Sequence, residues 1–159
     1  MKHIVVIIFF FYFSFFGFSQ NFVTGVGGTN GSSFNGYGVN VREYFFIGEH
    51  ICFGPEFSYF PERKEGEYKK SLLEFNITGH YIFEATEHLG IYPLTGLNYS
   101  IEFESSEYHS VKKDAFGINI GVGLHYRIKN IFPYFEYKYI TGNLAQHIWN
   151  VGVLFSLQK

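Results

Sequence analysis

Six histidines follow position 20: His50, His80, His88, His109, His125 and His147. Histidine is the side chain best suited to hold a metal or move a proton near neutral pH. None of the six pairs with another at i,i+2 or i,i+4, and no His-Glu-x-x-His spacing occurs. Local structure therefore brings no two of them onto one ion, and no metal centre is expected. Cys52 is the single cysteine, which excludes an intrachain disulfide framework. No cofactor is expected either.

What remains is a set of polar residues that alternate with apolar ones. From Gln20 onward no stretch has helical periodicity; apolar residues recur with period two, in segments punctuated by Gly, Asn, Ser and charged clusters. Eight segments follow, at 20–28, 36–45, 48–60, 70–83, 89–103, 115–128, 132–140 and 146–157. The sixth is the clearest. Phe116, Ile118, Ile120, Val122, Leu124, Tyr126 and Ile128 share one face, and Gly117, Asn119, Gly121, Gly123, His125 and Arg127 share the other. In the eighth, Trp149, Val151, Val153, Phe155 and Leu157 oppose Asn150, Gly152 and Ser156.

The bulk on the apolar face decides what kind of β protein this is. A soluble barrel turns its apolar face inward and packs it densely, with charges outside. Here the other face is rich in Gly, Asn and Ser, too small to serve as a solvated exterior but suited to a narrow interior. Bulk outside and small polar residues inside fit a barrel in lipid, which must close on itself because hydrocarbon satisfies no backbone group. Composition agrees. At 22% aromatic with 18 glycines, the 159-residue chain carries more rings than a core of its own could bury.

The connections give a separate test. The first, third, fifth and seventh (Gly28–Phe34, Pro61–Tyr68, Glu104–Asp114 and Thr141–Gln146) are polar and mostly long, whereas those near 46–48, 85–88 and 129–130 are short. A barrel with both termini in the periplasm alternates long outer loops with short inner turns in this way. The expected fold is therefore all-β: an eight-stranded antiparallel up-and-down transmembrane barrel.

The N-terminus states the route. Lys2 and His3 precede an apolar stretch, Ile4–Phe16, too short for a membrane-spanning helix of ~20 residues. Gly17 and Ser19 place small residues at −3 and −1 of a cleavage before Gln20. Residues 1–19 are expected to be a cleaved signal peptide and 20–159 the barrel. Cys52 lies too far past that site to carry a lipoprotein anchor. A net charge of −2 with scattered Lys and Arg gives no footprint for nucleic acid.

Aromatics recur near segment ends, at Tyr44, Phe45, Tyr59, Phe60, Tyr81, Phe83, Tyr99, Phe103, Tyr126 and Tyr139, as interfacial girdles do. Trp149 is read as an interfacial anchor near the outer rim. Pro55 sits inside the third segment and predicts a bulge or local boundary.

Gly54–Tyr59, Thr95–Tyr99, Pro133–Tyr139 and Asn150–Val153, together with a Phe-rich signal ending in Ser19-Gln20, resemble the outer-membrane β-barrel domain common in Bacteroidetes. The resemblance implies an eight-stranded barrel in a Gram-negative outer membrane and no particular activity. A second likeness is narrower. Gln146–Asn150 is similar to the motif of the outer-membrane lipid A deacylases, which sets a His and a Ser two residues apart with an acid beyond. His147 matches, but Trp149 occupies the serine position and no acid follows. A nucleophile and its base must lie within hydrogen-bond reach, so no enzyme is expected.

Counting faces from the apolar positions places Arg42, Glu56, Glu74, Asn76, His80, Asn98, Glu102, Asn119, His125, Arg127, Glu136, Lys138 and Asn150 in the lumen. Four acids and three bases in so narrow a space are expected to form a structural network that fills the lumen. The alternatives are a small pore, or a soluble exported barrel with an apolar ligand. The expected partners are outer-membrane lipid and lipopolysaccharide, the barrel-assembly machinery, and an unknown surface ligand at the outer loops. Lys69, Lys70, Lys112 and Lys113 could together face lipopolysaccharide phosphates.

Overall fold

The computed structural model describes residues 22–33, 36–106 and 110–156. The expected signal peptide lies outside them, as do His109 and Leu157. Strands are β1 (Phe22–Gly31), β2 (Gly36–Ile47), β3 (Ile51–Glu65), β4 (Tyr68–Tyr81), β5 (Phe83–Glu84), β6 (Leu89–Ser105), β7 (Ser110–Tyr126), β8 (Ile131–Ile140) and β9 (Gln146–Ser156). β4 and β5 are one stave interrupted at Ile82, and both pair with β6. Neighbours are antiparallel throughout and β9 returns to β1, closing a barrel of eight staves.

The register fixes its shape. Stepping between directly bonded residues from Phe22 through Phe45, Phe53, Gly79, Thr95, Ile120, Tyr139 and His147 returns to β1 at Ser32, ten residues beyond the start. A stagger of this size over eight strands, at ~3.3 Å per residue and ~4.8 Å between strands, tilts them by about 40°. The outward row of β7 from Phe116 to Tyr126 then rises about 25 Å along the barrel axis, the height of an outer-membrane apolar band.

The two faces are inverted relative to a soluble protein. Phe116 is 78% exposed, Leu97 66% and Val151 61%, with Ile77, Ile120 and Phe135 also on the outside. Among the described residues, fully buried polar side chains outnumber fully buried apolar ones. Tyr44 and Phe60, read from sequence as girdle residues, point into the lumen and are completely enclosed. Both sit one residue from an outward aromatic, Phe45 and Tyr59, so proximity to a segment end did not fix their side.

Two of the expected loops are largely strand. β3 and β4 run together to Glu65↔Tyr68, closed by Gly66 at φ 63° in a two-residue turn. β6 and β7 run to Ser105↔Ser110. Their charged residues alternate without any apolar face, which hid them from a reading based on hydrophobic period. By contrast β2 leaves β3 at Val39↔Tyr59, and the β7–β8 ladder begins at Asn119↔Ile140. β3, β4, β6 and β7 therefore continue beyond the rim as a projecting four-stranded sheet. Among the described residues, no strand pairs with the β8 side of Ser110–Gly117.

Pro55 causes a gap and not a bulge. The β2–β3 register is unbroken across it, though the ladder skips from Arg42↔Glu56 to Phe45↔Phe53. The register shift lies at Phe60/Arg63 instead, where Pro61 sits.

On the projecting sheet Lys113 Nζ lies 2.7 Å from Glu104 and 3.7 Å from Glu102. The hydrogen bond from Lys113 holds the Glu104 carboxyl below the usual carboxylate range. A depressed folded pKa means that this contribution is present above the unfolded value and is lost as pH falls through the folded one. In an NMR titration, Lys113→Met is expected to raise the Glu104 midpoint towards the ordinary value, with the barrel amides unchanged.

Candidate functional site

The lumen is built in three layers. The outermost is mainly apolar: Phe60, Leu72, Ile140 and Ile148 are 0–3% exposed and pack as one cluster, with Gln146 beside Phe60 and Ile148 at Gly31. Gly31 and Gly38 make room for the Phe60 ring; a Cβ on Gly38 would sit 3.0 Å from it. Ile140 lies against Gly117 of the neighbouring strand β7. These contacts close the lumen towards the outer end.

The middle layer is charged. Arg42 on β2 donates to Glu136 on β8 at 2.9 Å and lies 3.5 Å from Glu56 on β3. Lys138 donates to the other oxygen of Glu56. Asn150 Nδ2 and the Tyr92 hydroxyl complete Glu136 at 3.0 and 3.3 Å, and the Tyr44 hydroxyl reaches Glu56 at 3.3 Å. Arg42 also donates from Nε to Asn40 at 2.9 Å and stacks 4.3 Å from the Tyr134 ring centre. Beside this core, Asn98 and Asn119 donate to Asn76 at 2.8 and 2.9 Å, and Ser100 donates to Asn98. Glu74 accepts from Gln146 at 2.7 Å. Strand alternation explains the convergence, since each of these residues lies at an inward position of its strand.

Glu102 and Arg127 do not join the network. Glu102 stands on the projecting sheet with Lys113, and Arg127 is half exposed at the inner rim, 3.8 Å from Glu84. Both lie on the lumen side of their strands, but those strands outrun the enclosed part of the barrel. His125 is half-buried in the wall of an inner cavity. The four lysines also divide. The ladder pairs Lys70 with Glu104 and Glu102 with Lys113, on the lumen-side face of the sheet, whereas Lys69 and Lys112 lie on the outward face.

The third layer is that inner cavity, about 530 Å³, open at the end that carries Phe22, Ser156 and the short turns. Tyr44, Tyr92, His80 and Cys52 form its floor, and Ile82, Phe132 and Leu154 its walls. Sequence reading did not find it, because a void has no residue pattern of its own.

Outside the barrel, Trp149 is 46% exposed, with ring centres 4.5 Å from Tyr137 and 5.5 Å from Phe135. His147 holds its Nδ1 2.6 Å from the Tyr137 hydroxyl, and its backbone N–H donates to Ser32 at 2.9 Å. Among the described residues no group of three His, Cys, Asp or Glu could hold a metal ion.

A closed, tilted barrel with an apolar exterior and a polar interior decides the comparison with known structures. The fold is that of the small outer-membrane barrels. Neisserial surface protein A superposes with a TM-score of 0.70 at 14% identity, covering 86% of this chain and 97% of that one. Ail, the attachment invasion locus protein of Yersinia pestis, does so at 0.66 and 15%, covering 86% and 98%. The outer-membrane enzyme PagL gives 0.51 and 13%, covering 84% and 97%. No protein-family model and no curated protein matches the sequence.

Proposed function

We propose that the chain is a non-enzymatic integral protein of a Gram-negative outer membrane, exported by cleavage after Ser19, whose barrel is a sealed pedestal for a surface-binding sheet. The reading also takes its relatives to be the Bacteroidetes barrels that its short motifs resemble. One observation carries the proposal: the outer and middle levels of the lumen are packed with side chains while four strands continue past the rim. The apolar cap and the Arg42–Glu56–Glu136–Lys138 network act structurally and leave no path for ions, which argues against the pore. The exposed band of large apolar side chains argues against the soluble, ligand-filled barrel.

Against catalysis stands the environment of His147. Its ring is engaged by a phenol, and the position two residues on is Trp149. The projecting sheet offers what recognition needs, an open β7 edge on a rigid support. On its outward face lie Lys112 and Lys69, the latter 3.0 Å from Glu62, and in an outer membrane these lysines would meet the lipopolysaccharide layer. Ail has been seen in complex with the heparin analogue sucrose octasulfate, so a barrel of this fold can take a polyanion.

Two measurements test the proposal. In planar bilayers the folded protein is expected to be electrically silent; discrete conductance steps would restore the pore. On intact cells, Lys112→Cys is expected to react with a membrane-impermeant maleimide and Lys129→Cys to remain unlabelled. Cys52, 2% exposed, gives little background. The reverse labelling would place the sheet on the periplasmic side and overturn the surface role.

A further inference from the structure

We infer that Glu74 is a proton-binding site: its carboxyl group is closed into the outer part of the lumen as the neutral acid, and the packing there depends on the proton it keeps. The inference concerns the filled lumen and is independent of the surface role.

Charge balance is the first ground. Among the described residues the enclosed charged side chains are Arg42, Lys138, Glu56, Glu74 and Glu136, each 0–2% exposed, so three carboxyl groups face two cations. Both cations are committed. Arg42 lies between Glu136 and Glu56, and Lys138 donates to Glu56. Glu74 takes part in none of these ion pairs. His80 does not supply the missing charge. It lies six residues along β4, about 20 Å away, and an imidazolium there would leave Nε2–H without an acceptor.

The surroundings are the second. Oε1 accepts from the Gln146 amide at 2.7 Å, and Oε2 has no hydrogen-bond partner. Gln146 itself meets Phe60 and Ile148 of the apolar cluster at Gly31. The charged groups that act on Glu74 are Lys138 on β8 and Glu56 on β3, which are bonded to each other. Glu102, further out on β6, faces Lys113 of β7 at 3.7 Å. The remaining inward positions around Glu74 are neutral: Leu72 and Asn76 on β4, Ser58 and Ser100 opposite it on β3 and β6, Asn40 on β2 and Asn119 on β7. An ionised carboxylate here would be buried with one neutral donor and no counter-charge, a state that a group relieves by staying neutral. The acid also gives Oε2 a hydrogen to donate. The folded barrel then holds a proton that the unfolded chain releases at neutral pH. Stability from this site is full in acid and is lost as pH rises through the point where Glu74 gives the proton up.

The test uses the full barrel refolded into lipid vesicles in light or heavy water and read by infrared spectroscopy at neutral pH, where exposed carboxyl groups are ionised. The expected result is a carboxylic-acid carbonyl band that shifts in heavy water and is missing from Glu74→Gln. Urea unfolding gives the second readout. Between neutral and mildly alkaline pH the wild type should lose stability relative to Glu74→Gln, approaching about tenfold in the folding constant per pH unit, the limit for one proton. Should Glu74→Gln fail to fold, Glu74→Met takes its place in both readouts. No acid band in the folded wild type, which is also the outcome if a metal cation held the site, overturns the inference. So does a band that persists in the folded variant, or a wild type that follows the variant across that pH range.

Discussion

Arg42→Met is expected to destabilise the folded barrel by about 3–5 kcal/mol, the cost of leaving a buried charge without its partner. Arg42 is enclosed in the lumen and faces two carboxylates, Glu136 at 2.9 Å and Glu56 at 3.5 Å. Glu56 keeps Lys138 when the guanidinium is removed, and Glu136 keeps only the neutral donors Asn150 and Tyr92. The loss therefore falls mainly on Glu136. Adding Glu136→Gln to Arg42→Met should recover most of the stability, because an ion pair removed whole is far less costly than one broken. Urea unfolding from lipid vesicles, followed through Trp149 as the chain's one tryptophan, gives the four corners of the cycle. Additive losses in the double variant would mean that the two residues do not act as a pair.

The second large effect belongs to the outer surface. Ile120→Arg is expected to cost about 2–4 kcal/mol in the same assay, because it sets a charge near the middle of the apolar band. Tyr126→Arg, at the inner end of the same outward row, should cost only about 0–1 kcal/mol. Both positions are about half exposed. On a protein surrounded by water both changes would stay within about 0.5 kcal/mol, so the depth dependence itself reports lipid.

The barrel was legible because closure around a narrow lumen imposes one rule on every strand, small or polar side chains inside and bulk outside. Period two with bulk outside is visible in β7 and β9 without any neighbour, and inward parity alone placed Arg42, Glu56, Glu74, Asn76, Glu136 and Lys138. Parity tells which side a residue takes but not how high it stands. Glu102 and Arg127 were misplaced for that reason, above and below the enclosed section. The projecting sheet was missed because its strands need no apolar face; pairing of charged residues such as Arg63↔Lys70 and Lys64↔Lys69 leaves no periodic hydrophobic trace. Pro61 was the one local sign, at the point where the register shifts. Tyr44 and Phe60 show the converse limit. An aromatic near a segment end serves a girdle or a lumen equally well, and only a count along the strand separates the two. The apolar cap follows from the same ambiguity: Leu72, Ile140 and Ile148 look like lipid-facing residues until the barrel is closed.

The central claim is a closed barrel held in lipid, and electrophoresis of carbonate-washed outer membranes tests it most directly. Unboiled protein is expected to migrate faster than boiled protein, because a sheet closed on itself by the β9–β1 ladder resists SDS until heated. A protein that leaves the membrane with carbonate and runs at one position with or without heating would contradict the account.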